Sequence, residues 1–186
     1  MSGAPRTEFA VLVPLIDYVR PSGSSAAAEE CVLLTKRPET LPHYAGQVSF
    51  PGGGRDLEDA DLAATAIREA GEEVGIGPER IKILGELPWQ CTSLGHRVRP
   101  FLASVAPGPV SPNPAEVERV IYLPVSIVRA DPFRVRGVWK DPDGVERTTY
   151  TFQFEGVEIW GLTARILREH FVGELGSSVT QGTDGH

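Results

Sequence analysis

The segment that most constrains the fold is a short strand that leads into a helix through consecutive glycines. Residues 46–50 are the apolar run GQVSF, residues 51–54 are PGGG, and residues 59–74 have helical periodicity. Gly75 ends this helix, because glycine readily adopts the left-handed conformation that closes a helix. The glycines also allow the backbone before the helix to approach a ligand or a metal ion closely.

Short, bounded, β-branched runs predict most of the remaining elements as strands. They are residues 9–16, 31–37, 81–87, 98–105, 119–125, 134–140 and 147–154. A second helix is predicted over 162–172, and loops are predicted over 21–30 and over the proline-rich residues 106–118. Strands outnumber helices and do not alternate with them, which predicts an α+β domain rather than a doubly wound parallel sheet.

Length and charge exclude several classes of protein. The chain has 186 residues and a net charge of −7 without a basic block, so broad binding to nucleic acid is not expected. No apolar run approaches the ~18 residues of a membrane span. Cys31 and Cys91 lack metal-type spacing, so we expect two reduced thiols in a cytoplasmic protein. We expect one domain over residues 1–175 and a flexible tail over 176–186.

Three glutamates gather near the C-terminal end of the first helix. At roughly 100° per residue, Glu69, Glu72 and Glu73 share one arc beside the apolar face of the helix. Like charges at this spacing repel, and the helix dipole disfavours negative charge in the last turn. A divalent cation would turn the repulsion into attraction, and hard oxygen ligands favour Mg²⁺ or Mn²⁺. The alternative is a solvated acidic face.

The glycine run does not match the two common phosphate-binding signatures. No Lys-Ser or Lys-Thr follows it, and its glycines are consecutive, so it is neither a P-loop nor a dinucleotide-binding fingerprint. Arg68 lies one turn before Glu72, and this spacing predicts an ion pair that orients the glutamate. An ordinary surface pair is the alternative for Arg68.

Gly53 and the segment REAGEEVGI over 68–76 resemble the signature of the Nudix hydrolases. The second half of that signature matches without exception. In the first half, Asp59 stands where the family has glutamate, and eight residues rather than seven separate it from Arg68. The resemblance implies an α/β/α sandwich with a mixed sheet, and metal-dependent hydrolysis of a nucleoside diphosphate linked to another group.

A second motif resembles the coenzyme A diphosphatase branch of this family. It spans residues 33–53, LLTKRPETLPHYAGQVSFPGG. The matching positions are Leu33, Leu34, Thr35, Arg37, Gly46, Phe50, Pro51, Gly52 and Gly53. Pro38 and Pro42 stand where the branch has a small residue and an arginine. Residues 154–167, FEGVEIWGLTARIL, resemble the C-terminal segment of the same branch, so the likeness covers most of residues 9–172.

The resemblance implies roles for the acidic residues. Glu69 and Glu73 are the expected metal ligands, and Glu72 is either a third ligand or the general base. Glu116, in the proline-rich loop, is the expected separate base, provided that it lies within hydrogen-bond reach of the attacking water. The alternative for Glu116 is a surface glutamate.

The same resemblance implies a set of substrate contacts. The backbone carbonyl of Gly52 or Gly53 is expected to complete the metal coordination. Because coenzyme A also carries a 3′-phosphate, Lys36, Arg37 and Arg97 are candidates to bind its phosphates. Trp89, Trp139 and Trp160 are candidates for stacking on adenine, although core packing is favoured for Trp160.

The expected substrate is a small-molecule diphosphate. Coenzyme A or its thioesters are favoured, with 3′,5′-ADP and 4′-phosphopantetheine or its acyl form as products. ADP-ribose and NADH remain alternatives, because Pro42 removes a candidate arginine. A third hypothesis is a non-catalytic ligand-sensing module. The three glutamates argue against it, because three repelling carboxylates are hard to explain without a bound cation. A homodimer is compatible with the sequence.

Overall fold

The computed structural model describes residues 8–19, 27–42 and 44–172. The predicted tail over 176–186 and residues 21–26 of the first predicted loop lie outside this part of the chain. The strands are β1 (Glu8–Tyr18), β2 (Glu29–Lys36), β3 (Val48–Ser49), β4 (Gly52–Gly54), β5 (Ile81–Glu86), β6 (Gln90–Cys91), β7 (Arg97–Val105), β8 (Arg119–Pro124), β9 (Arg134–Lys140), β10 (Glu146–Phe154) and β11 (Val157–Trp160). The helices are α1 (Leu62–Val74), α2 (Val125–Arg129) and α3 (Gly161–Phe171).

Eight strands form the predicted mixed sheet. Its central path is β3-β2-β1-β7-β5, with β4 paired to β1, β6 to β7 and β8 to β2. β1 and β7 are parallel, and the other pairs are antiparallel. The two long strands β1 and β7 therefore run side by side, and the short glycine strand β4 pairs with residues 9–11 of β1 in the same sheet.

Helix α1 covers one face of this sheet. Alternate residues along β1 and β2 point to opposite faces, and Leu12 and Leu33 belong to the cluster on the α1 side. They pack with Ala66, Ala70 and Val74 of the helix, all fully buried. The predicted apolar face of α1 is thereby confirmed at its centre.

The opposite face of the sheet is covered by α2, α3 and a second sheet. Val13 and Leu34 pack there with Ile166 and Leu167 of α3. The second sheet has the order β11-β10-β9 and contributes Phe152 and Ile159 to the same cluster. Helices on both faces of a mixed sheet are the α/β/α sandwich that the sequence predicts. In the described ranges, none of the helices combines the length and the hydropathy that crossing a bilayer requires.

Three local features differ from the prediction. Residues 52–54 form a strand rather than a loop, because they pair with residues 9–11 of β1. Helix α1 begins at Leu62 instead of residue 59, because Asp61 is its N-cap and accepts a hydrogen bond from the Ala64 N–H at 2.8 Å. Val125 starts α2 instead of ending a strand.

Candidate active site

Two glycines bring β4 directly against the acidic end of α1. A side chain at Gly53 would collide with the carboxylate of Glu69. A side chain at Gly52 would collide with the backbone of β1, at the Ala10 carbonyl and at Val11. The Gly52 N–H donates to Glu73 Oε1 at 3.4 Å. Because the glycines lack side chains, the backbone of β4 can approach Glu69 and Glu73 closely.

The three glutamates of α1 lie in different surroundings. Glu73 is 4% exposed, and the Glu69 side chain is 14% exposed. The Glu72 side chain is 54% exposed and pairs with Arg68. The predicted arc thus divides into two enclosed carboxylates beside β4 and one carboxylate in solvent.

Arg68 links the glycine strand, the start of α1 and its acids. Its Nε and Nη2 donate to the two carboxylate oxygens of Asp59 at 3.0 and 3.1 Å. Its Nη1 donates to Glu69 at 3.1 Å and to Glu72 at 3.0 Å, and Nη2 also donates to the Gly54 carbonyl. The guanidinium holds the pKa of Asp59 well below its usual range. The predicted Arg68–Glu72 pair is confirmed, and Asp59 anchors the arginine.

Burial makes both enclosed glutamates hard to ionise without a cation. Removal of water from its carboxyl raises the pKa of Glu73 to about 7, although the hydrogen bond from Gly52 acts in the opposite direction. Burial also raises the pKa of Glu69, and its contact with Arg68 opposes this. Two poorly solvated, mutually repelling carboxyls form a site that a divalent cation would stabilise.

The proline-rich loop closes the C-terminal end of α1. The Ser111 N–H donates to the Val74 carbonyl at 2.9 Å, and the Asn113 N–H donates to the Glu73 carbonyl at 2.8 Å. These bonds satisfy carbonyls that a helix end leaves free. Asn113 Nδ2 donates to Glu116 Oε1 at 3.2 Å. Glu116 is thereby close enough to the two enclosed glutamates to raise the pKa of both.

The described ranges contain no metal site that is formed by side chains alone. Among residues 8–19, 27–42 and 44–172, no three His, Cys, Asp or Glu side chains converge to hold a metal ion. Glu69 and Glu73, with backbone oxygens beside them, remain the groups that fit one. Mg²⁺ and related ions suit such a partial set, because they retain waters and bind substrate phosphate oxygens.

A cleft of about 710 Å³ opens beside the glycines. Its lining includes Gly52 and Gly53, aromatic side chains such as Phe50, and residues of the second sheet and of α3. Trp139 and Trp160 belong to this lining. The sequence favours core packing for Trp160, and that prediction is wrong, because the residue is 37% exposed and lines the cleft.

The cationic candidates separate into one that lines the cleft and two that do not. Arg37 lines it, and its buried Nε has no hydrogen-bond partner among the residues that the structure describes. Lys36 Nζ is bonded to Glu118 at 2.9 Å. Arg97 lies over the ring of Trp89, 4.2 Å from its centroid. Neither Lys36 nor Arg97 belongs to the cleft lining, so the structure brings Arg37 alone of the three together with Gly52 and Gly53.

Comparison with known proteins shows which family the chain belongs to. The model of the NUDIX domain matches residues 23–150, and the chain belongs to the Nudix family. It is 36% identical over 162 residues to the uncharacterized Nudix hydrolase NudL of Photorhabdus laumondii, across 86% of this chain and 81% of that protein. It is 34% identical over 166 residues to NudL of Citrobacter koseri, across 88% and 81%. The chain is therefore a hydrolase of the pyrophosphatase type, as predicted.

Solved structures confirm the fold. A Nudix hydrolase from M. smegmatis, RenU, superposes with a TM-score of 0.51 at 23% identity, over 68% of this chain and 74% of that one. The NUDIX domain of Shewanella oneidensis NrtR, complexed with ADP ribose, gives a TM-score of 0.50 at 20% identity, over 68% and 77%. At such identities the likeness concerns the fold alone.

Proposed function

We propose that this Nudix hydrolase cleaves the diphosphate of coenzyme A or of its thioesters. The products are 3′,5′-ADP and 4′-phosphopantetheine or its acyl form. The observation that carries the proposal is that the coenzyme A-type motif surrounds Glu73. The Thr35 hydroxyl lies 3.5 Å from Glu73 Oε2, the Gly52 N–H lies 3.4 Å from Oε1, and the Arg37 charge opposes the rise in the pKa of Glu73.

Glu69 and Glu73 hold a divalent cation, Mg²⁺ or Mn²⁺, in this proposal. A cation held by these two carboxylates would neutralise the negative oxygens of the diphosphate. The Gly52 carbonyl is a better third ligand than that of Gly53, because alternate residues of β4 face β1. Leu12 N–H donates to the Pro51 carbonyl, and Gly53 lies opposite Ala10, so the alternation of the ladder leaves the Gly52 carbonyl pointing away from β1.

Glu116 is the general base in this proposal. It comes from a loop that is bonded to the end of α1, and Asn113 Nδ2 holds one of its carboxylate oxygens. Glu116 takes the proton of the attacking water as the water adds to phosphorus and the anhydride P–O bond breaks. Glu72 has an outer role, since it is exposed and paired with Arg68.

Arg37 contacts the diphosphate in this proposal. Within the described part of the chain its buried Nε lacks a hydrogen-bond partner, and a buried donor without one is costly unless a ligand supplies the acceptor. A planar guanidinium suits phosphate oxygens. Arg37 lines the cleft together with Gly52 and Gly53, and its charge opposes the rise in the pKa of Glu73, which supports a position beside the proposed metal ligands.

The cleft has room for the rest of the substrate. Its volume of about 710 Å³ is that of a typical site for a small organic ligand. ADP-ribose is the second candidate, supported by the ADP ribose complex of the NrtR domain and by Pro42 in place of the usual arginine. Cys31 and Cys91 are both buried, and we propose that the enzyme is cytoplasmic.

A product assay tests the proposal. The purified chain is incubated with coenzyme A, dephospho-coenzyme A, ADP-ribose and NADH, with Mg²⁺ or Mn²⁺, and the products are identified by mass. Formation of 3′,5′-ADP from coenzyme A at the highest kcat/KM is the expected result. A higher kcat/KM for ADP-ribose or NADH would keep the hydrolysis and overturn the coenzyme A assignment.

A further inference from the structure

Two arginines line the cleft, and neither forms an ion pair with a described carboxylate. They are Arg37, beside Gly52, and Arg165 of α3. Most other arginines in the described part of the chain bind acids or backbone carbonyls, as Arg168 of the same helix does with Asp131. Cations without acidic partners inside a cleft are positions where a ligand can supply the negative charge.

Arg165 is a buried cation with an incomplete set of partners. It is 4% exposed. Its Nε donates to Gln90 Oε1 and its Nη2 donates to the Cys91 carbonyl, both at 2.7 Å. Both acceptors are neutral. Its third nitrogen, Nη1, makes no hydrogen bond to any described residue. Glu169, which accepts from Gln90 Nε2 at 2.9 Å, and Asp141 act on this buried charge electrostatically, but neither forms an ion pair with it.

The surroundings of Arg165 suit a nucleotide. Its guanidinium lies 5.9 Å from the centroid of the Trp139 ring. Trp139 in β9 and Trp160 in β11 flank the central strand β10, and both line the cleft. Flat aromatic surfaces bind bases through stacking, and a neighbouring guanidinium binds phosphate. The two tryptophans and Arg165 therefore provide the two kinds of group that bind a phosphorylated nucleoside, namely flat rings for its base and a cation for its phosphate.

We infer that Arg165 forms a second anion subsite, separate from the metal-binding glutamates, which binds a phosphate monoester on the nucleoside part of the substrate. This inference rests on the proposed function, in which that group is the 3′-phosphate of coenzyme A. Gln90 and Cys91 fix two edges of the guanidinium, and its remaining nitrogen meets the phosphate. The subsite explains how the cleft selects a substrate that carries a third phosphate despite Pro42.

The first test compares two substrates that differ only in that phosphate. The value of kcat/KM is measured for coenzyme A and dephospho-coenzyme A in the wild type and in Arg165→Met. The preference for coenzyme A is expected to fall about tenfold or more, the usual effect of losing a charged hydrogen bond. Arg168→Met, on the same helix and outside the cleft, is the matched control and should keep the wild-type ratio. Equal losses for both substrates in Arg165→Met would show a structural role only.

The second test uses binding, and it does not depend on turnover. Dissociation constants of 3′,5′-ADP and 5′-AMP are measured by calorimetry in the wild type, in Arg165→Met and in Arg165→Lys. Binding of 3′,5′-ADP should be about tenfold tighter than binding of AMP in the wild type and should weaken selectively in both variants. If Arg165→Met does not fold, the wild type and the lysine variant decide the matter. Equal affinities in the wild type would overturn the subsite, whereas selective binding without hydrolysis of coenzyme A would overturn only the proposed function.

Discussion

The backbone N–H of Asn113 donates to the carbonyl of Glu73 at 2.8 Å. This bond joins the loop that carries Glu116 to the helix that carries the most deeply buried glutamate. The Asn113 side chain then holds Glu116 through Nδ2 and accepts a hydrogen bond from the Ala115 N–H through Oδ1. One residue thus sets the distance between the proposed base and the proposed metal ligands.

Replacement of Asn113 by aspartate should lower kcat while leaving the fold intact. The variant keeps the acceptor for the Ala115 N–H, but it loses the donor to Glu116 and adds a like charge. A fall in kcat of about tenfold or more is expected, because a displaced base is far less effective. Steady-state kinetics and thermal melting check this. An unchanged kcat would show that Glu116 does not depend on Asn113.

The metal-free protein should lose stability as the pH rises, and Glu73 should be the cause. Its pKa is raised from 4.5 to about 7 in the folded state, so the folded state binds more protons than the unfolded state between these values. The contribution of this group to stability is therefore complete below pH 4.5 and is lost as the pH rises to about 7, by on the order of 3 kcal/mol.

Urea unfolding in the presence of a chelator, at pH 5 and pH 8, measures this effect. Glu73→Gln should remove most of the pH dependence and should be more stable than the wild type at pH 8, since it also relieves repulsion at the helix end. It should have no measurable hydrolase activity. The same pH dependence in both proteins would show that another group is responsible.

A divalent metal ion should offset the loss of stability that the metal-free protein shows at high pH. Ligands that bind only the folded state stabilise it, and a carboxylate must lose its proton to bind metal. We expect Mg²⁺ or Mn²⁺ to raise the melting temperature of the wild type more at pH 8 than at pH 6. In Glu69→Gln and Glu73→Gln this rise should be absent or much smaller. A full response in either variant would exclude that glutamate as a ligand.

Matched variants of Glu116 and Glu72 should distinguish the general base from the glutamate with an outer role. Glu116→Gln removes the proposed base and should lower kcat by about 10²-fold or more, while the metal still raises the melting temperature. Glu72→Gln removes an exposed carboxylate and its pair with Arg68, so we expect a smaller loss. A larger loss in Glu72→Gln than in Glu116→Gln would exchange the two roles.

The sequence predicted the parts of the site that depend on local periodicity. The helix, its apolar face and the adjacent glutamates follow from residue spacing. The order of strands and helices predicts an α+β domain, and the resemblance to the Nudix hydrolases implies the sandwich. Strand pairing of Gly52 with β1 and the bond from Asn113 to Glu73 depend on contacts between distant segments, which no local pattern records. For the same reason the sequence treated Lys36, Arg37 and Arg97 alike, although only Arg37 faces the cleft. The sequence of α3 is that of an ordinary amphipathic helix, so it did not indicate that Arg165 is buried either.

Arg37 should act on the diphosphate and therefore on every substrate. Arg37→Ala is expected to lower kcat/KM about tenfold or more for both coenzyme A and dephospho-coenzyme A, with their ratio unchanged. Lys36→Ala, one residue earlier and outside the cleft, should cost less than about fivefold, since its exposed pair with Glu118 contributes little. A selective loss for coenzyme A in Arg37→Ala would instead assign Arg37 to the 3′-phosphate. Because Arg165 is expected to show that selective loss, parallel measurement of the two arginine variants identifies which phosphate each one binds.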